Sequence, residues 1–132
     1  MHIHFAPPCG TALRARNKPV PRKQRAQGAP QPPPLRSAAF PEGLPDLWID
    51  PIQLPFTQGD RVKVEGANTL YAFVAKLAQW CIEKDVGFSI ENPANSWFWQ
   101  VPSIGALAND QSVRDVCFTA CRHGGRRPNK CR

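Results

Sequence analysis

The sequence predicts an α/β chain: a partial parallel sheet interrupted by a long, irregular, Pro-rich basic insertion. Two apolar alternations, one at the very start and one at residues 86–90, frame a helix-period segment, the arrangement expected when two parallel strands are joined by a crossover helix. A third alternation, "VRDVCFTAC" at 113–121, supplies a further strand candidate. Fifteen prolines and nine glycines in 132 residues leave a good part of the chain irregular, and the size suits one domain spanning 1–132.

The first strand is read from His2, Ile3, His4 and Phe5, and it stops at Pro7 and Pro8, which have no N–H for a sheet ladder. Cys9 then falls in the turn after a strand end. From Asn17 to Pro34 the chain is Pro, Gln, Arg, Lys, Ala and Gly with Val20 its one sizeable aliphatic, so 14–56 is expected to be a flexible Pro/Arg-rich loop. Prolines at 41, 45, 51 and 55 among Phe40, Leu44, Leu47, Trp48, Ile49, Ile52 and Leu54 predict extended chain draped over a core. Leu70, Phe73, Val74, Leu77, Ala78, Cys81 and Ile82 recur at helical spacing, predicting a helix with Asn68 as its N-cap and Gly87 beyond its end. "VGFSIENP" predicts the second strand, closed by Glu91, Asn92 and Pro93. Asn95 or Ser96 caps a short turn holding Trp97, Phe98 and Trp99, aromatics expected to pack and able to stack on bases. Cys81 lies on the apolar side of the helix and is expected in the core.

Charge is distributed unevenly. Residues 1–40 carry Arg14, Arg16, Lys18, Arg22, Lys23, Arg25 and Arg36 with no acid, and residues 117–132 carry Arg122, Arg126, Arg127, Lys130 and Arg132, again with none. All ten acids lie between 41 and 116. Two basic arms around an acidic body suit a polyanionic partner, DNA or another nucleic acid. No apolar run approaches the roughly 20 residues of a membrane span, so no membrane partner and a soluble, intracellular protein are expected. Five irregularly spaced cysteines without a secretion signal predict free thiols. Cys117, Cys121, His123 and Cys131 have zinc-accepting donors, although their spacing is irregular and a buried strand-face role is simpler.

Three strand ends thus carry polar groups in order: Pro8-Cys9, Glu91-Asn92 and the basic turn "HGGRRPNKCR". This set resembles the cytosine-5 DNA methyltransferases, members of the Rossmann-like class I S-adenosylmethionine-dependent fold, in which one strand ends in Pro-Cys, the next in Glu-Asn-Val, and a later one leads to a Gln-x-Arg-x-Arg signature. Gly10 stands where that family has Gln, and Pro93 where it has Val. Adenine methyltransferases are the nearest alternative, but they carry an Asp or Asn before the proline pair and an aromatic after it, where this chain has Ala6 and Cys9. The resemblance implies Cys9 as the nucleophile on carbon 6 of an extruded cytosine and Glu91 as the acid on its pairing edge. It implies nucleic-acid contacts from Arg14, Arg16, Asn92, Arg126, Arg127, Lys130 and Arg132. It also implies S-adenosylmethionine as cofactor, with a glycine-rich cofactor loop that would precede residue 1, so the chain is expected to be an incomplete domain, inactive alone. The alternative is a noncatalytic basic nucleic-acid-binding protein on a small α/β support.

Overall fold

A computed structural model describes residues 1–119 and the backbone of 130–131. Strand β1 (His2–Phe5) pairs in parallel with β2 (Gly87–Ile90), His2 opposite Gly87 and Phe5 opposite Ile90. Helix α2 (Gln58–Glu83) joins them across the core, giving a mixed α/β architecture. Ile3 and Phe5 turn to one side of β1 while His2 and His4 stay exposed on the other, the period-2 division of a half-buried strand.

Helix α2 starts a good deal earlier than the apolar periodicity indicates. Its N-cap is Thr57, whose hydroxyl accepts from the Asp60 amide while the Asp60 carboxylate accepts from the Thr57 amide, a reciprocal cap that satisfies two otherwise orphaned donors. Asn68, expected as the cap, is an interior helical residue: its side chain donates to Glu42 O at 2.7 Å and accepts from Arg36 at 2.7 Å. At the other end Lys84 is the C-cap and Asp85 takes the left-handed conformation (φ 52°), so Gly87 is free to open β2. Val64, Tyr71, Val74, Ala75, Ala78 and Cys81 form the buried side of the helix. Leu70 and Phe73, expected on that side, are exposed, as are Val62 and Trp80.

Two apolar clusters flank α2. In the larger, Tyr71, Val74 and Ala75 pack on Trp97, Phe98, Val101 and Ile104, with Phe5 and Ile90 of the sheet against them. Tyr71 and Phe98 meet edge-to-face with centroids 4.8 Å apart, a geometry worth about 0.5–1.5 kcal/mol beyond the area it buries. Trp97 begins a 3₁₀ turn (Trp97–Gln100) capped by Ser96, whose Oγ accepts from the Phe98 amide, as the sequence indicated, and α3 (Pro102–Gly105) follows directly. The smaller cluster joins Leu35, Leu47 and Phe56 to Val64 of α2, so the proline-spaced stretch is indeed draped over the core through these side chains, while Phe40, Trp48, Ile49 and Leu54 remain exposed.

The stretch expected to be a flexible loop, 14–56, contains two 3₁₀ turns (Arg14–Asn17 and Pro45–Trp48) and the short helix α1 (Arg22–Ala26). Between Asn17 and Pro34 no side chain is buried, as its composition foretold. The third parallel strand expected over 113–121 does not form among the described residues. Residues 113–117 are not strand, and Val116 is 64% exposed. Only β3 (Phe118–Thr119) is extended there, and it pairs antiparallel with β4 (Lys130–Cys131) in a separate sheet. Among the described residues no helix is long and apolar enough to cross a membrane.

Candidate functional site

The parallel pairing of β1 and β2 delivers Pro8-Cys9 and Glu91-Asn92 to one rim of the sheet. The ladder continues one step beyond the strands, with the Glu91 amide donating to Phe5 O at 2.9 Å. Asn92, only 2% exposed, then donates from Nδ2 to Pro7 O at 3.0 Å, a carbonyl that would otherwise lack a partner because the prolines end the ladder. Asn92 therefore ties the two strand ends together from beneath.

Above α2, Tyr71 donates its hydroxyl proton to Pro8 O at 2.8 Å. Burial raises the Tyr71 pKa above its ordinary value, against the opposing pull of the nearby Arg36 charge, and so keeps the donating, neutral form. The turn that follows is closed by the Ala12 and Leu13 amides, both donating to Cys9 O at 2.8 and 3.0 Å. Ala12 O in turn accepts from the Trp97 amide at 2.8 Å, so the segment after Cys9 is bonded to the segment after Asn92.

Arg36 organises the floor of this region, a role its place among the basic residues of the N-terminal arm did not suggest. It is 1% exposed and donates to Pro41 O at 2.6 Å, Asn68 Oδ1 at 2.7 Å and Thr11 Oγ1 at 3.1 Å, with its guanidinium 5.3 Å from the Tyr71 ring centre. Burial lowers its pKa, partly countered by Tyr71 and Glu42. Counted from sequence as part of a polyanion-binding arm, Arg36 is in fact an internal brace. No local signal marks it, because Asn68 and Tyr71, against which it is braced, lie more than 30 residues along the chain.

The remaining candidates are distributed unevenly. Arg14 is exposed with its guanidinium 3.9 Å over the Trp97 ring, a cation–π stack beside the Cys9 turn. Arg16 is engaged within the chain, donating to Pro33 O at 3.2 Å and lying 3.7 Å from the Asp60 carboxylate. Glu91, its side chain 42% exposed, lines a cavity of about 750 Å³ with His4, Phe88, Ser89, Trp99 and Arg114. Cys9, half-buried, lines neither this cavity nor a shallower groove bounded by Pro8, Gly10, Arg16 and Leu70. The thiol and the carboxylate thus share a rim but neither of these two hollows. Lys130 lies opposite Thr119 in the antiparallel ladder of the separate sheet, and Arg126, Arg127 and Arg132 lie outside the described residues.

Cys81 is fully buried, as expected, and Cys117 is exposed. Cys121 and His123 lie outside the described residues, and among the described ones no three His, Cys, Asp or Glu side chains converge as a ready metal set. Comparison of the chain with protein-family models, with curated proteins and with solved structures finds no match.

Proposed function

We propose that the β1–α2–β2 unit is the base-handling part of a Rossmann-like DNA (cytosine-5) methyltransferase-like domain, with Cys9 as nucleophile and Glu91 as the acid at the base. The observation that carries this reading is the parallel pairing of β1 and β2, by which the chain leading to Cys9 and the chain at Glu91-Asn92 leave the sheet at the same end, where ligands of open α/β sheets collect. The exposed Arg14, held over Trp97 beside the Cys9 turn, suits contact with a phosphate backbone.

In this reading the target cytosine is turned out of the duplex. The Cys9 thiolate forms a bond from sulfur to carbon 6, the displaced π pair moves toward carbon 5, and the Glu91 carboxyl gives a proton to ring nitrogen 3. Reversal returns that proton and expels the thiolate. The resemblance implies S-adenosylmethionine as methyl donor, gripped by a glycine-rich turn. Neither glycine near the sheet makes such a close cradle: a Cβ at Gly10 would meet nothing within 4 Å, and one at Gly87 would meet the His2 ring. The described residues do not fit the donor, and the chemistry assigned to this chain stops at the adduct on the base.

A duplex carrying 2-pyrimidinone in place of one cytosine tests the assignment, because this ring is more electrophilic and holds an attacking thiolate. A covalent complex mapped to Cys9 by mass spectrometry, lost in Cys9→Ser and diminished in Glu91→Gln, is expected. No adduct, an adduct that persists in Cys9→Ser, or one on the exposed Cys117 would overturn it.

A second reading, a noncatalytic nucleic-acid-binding protein, draws on α1, which has Arg22, Lys23 and Arg25 with no acid and no buried side chain. Binding of DNA without any adduct, falling steeply with salt, would favour it.

A further inference from the structure

The face of the sheet turned away from the core carries a histidine pair that the base-handling reading does not use. In β1, residues 2 and 4 point to the same side, and the parallel register sets His2 opposite Gly87 and His4 opposite Ser89. Two imidazole nitrogens converge on one oxygen: His2 Nε2 lies 3.0 Å and His4 Nδ1 2.9 Å from Ser89 Oγ. Glycine at 87 makes room for this, since a Cβ there would sit 3.1 Å from His2 Nδ1 and the ring would have to give by a few tenths of an ångström. The far nitrogen of His4, Nε2, faces the Glu91 carboxylate at 3.8 Å, and both side chains are open to solvent, at 53% and 42% exposure.

We propose that His2 and His4 form a two-imidazole chelate for a divalent first-row transition ion such as Zn²⁺, bound through His2 Nε2 and His4 Nδ1. The nitrogens already aim at a common point, and contraction from 2.9–3.0 Å to the roughly 2.0–2.1 Å of a zinc–imidazole bond needs a movement of about 1 Å each. Rotation of the Ser89 hydroxyl about its Cα–Cβ bond vacates that point. Ligation through Nδ1 requires the His4 proton on Nε2, and closing the 3.8 Å gap to the Glu91 carboxylate by a few tenths of an ångström would complete the carboxylate–histidine–metal arrangement that strengthens a ligand imidazole. Nitrogen donors select zinc, copper or nickel over magnesium and calcium. With two protein ligands the ion keeps open positions for water or a phosphate oxygen.

Titration of the full chain with Zn²⁺, followed by calorimetry and by the ring-proton NMR signals of the histidines, tests this without reference to any adduct at Cys9. One ion per chain with shifts at His2 and His4 is expected. His2→Gln or His4→Gln should weaken binding on the order of 10²-fold through loss of the chelate, and Glu91→Gln by about 10-fold or more through loss of the orienting carboxylate. Circular dichroism of these exposed-site variants should match the parent. A chain with Cys117→Ser, Cys121→Ser and Cys131→Ser should retain the site and give Co²⁺ bands free of sulfur charge transfer. Unchanged affinity in the doubly substituted His2→Gln, His4→Gln chain, or binding abolished by the serine substitutions, would overturn the proposal.

Discussion

Arg36→Met is the sharpest probe of how the Cys9 turn is held. Methionine keeps much of the length and removes every donor, so Pro41 O and Asn68 Oδ1, now bonded at 2.6 and 2.7 Å, lose a charged partner, and Thr11 Oγ1 loses one at 3.1 Å. Hydrogen bonds to a charged group are worth about 1.5–3 kcal/mol each, offset by the desolvation that a buried guanidinium no longer suffers, which leaves a net loss of about 2–4 kcal/mol. Against a total stability of about 5–15 kcal/mol this is large. Urea unfolding followed by the fluorescence of the four tryptophans should show the midpoint falling by about 1–2 M at an unchanged slope. Asn68→Leu combined with Arg36→Met should cost less than the two single changes added together, because both remove the same bond. A variant within about 0.5 kcal/mol of the parent, the scatter of ordinary surface changes, would refute the brace.

Other expectations concern the same framework. Tyr71 titrates above its ordinary pKa when folded, so the unfolded chain releases this proton first; the stability it contributes is complete below about pH 10 and is lost as pH rises toward the raised folded value, a decline that Tyr71→Phe should abolish in alkaline melts. Thr57→Ala removes one half of the α2 cap and should cost about 0.5–2 kcal/mol in urea unfolding, while Thr57→Ser should cost little. Exchange of Arg22, Lys23 and Arg25 for Gln should reduce the salt slope of DNA binding by about 2–3, at about 0.7–0.9 per phosphate neutralised, with no loss of stability; an unchanged slope would remove α1 from the interface.

The elements legible in the sequence were those whose signal is local. Alternation marked β1 and β2, and the helix-strand succession foretold their parallel pairing, because an intervening helix is how such strands are joined. Ser96 and the aromatic turn were equally plain. The start of α2 was not, since Asn68 precedes the denser apolar run and the glycines at 59 and 66 dilute the earlier turns, although Thr57 and Asp60 carried the capping signal. Residues 113–117 hold two valines three apart with Arg114 and Asp115 between them, so they lack the period-2 spacing of β1, and a strand also needs a neighbour, which is a tertiary fact. Arg36 and the His2–His4 pair were obscure for a related reason: their partners, Asn68 and Ser89, lie far along the chain, and composition cannot tell a braced arginine from a solvated one.

Three links, from Glu91 to Phe5, Asn92 to Pro7 and Trp97 to Ala12, stitch the chain following the first strand to the chain following the second. Stitched at three successive points, the two stretches must travel as one piece. Any pull on the aromatic turn is handed directly to the sulfur-bearing bend, and neither can swing aside while its neighbour stays put.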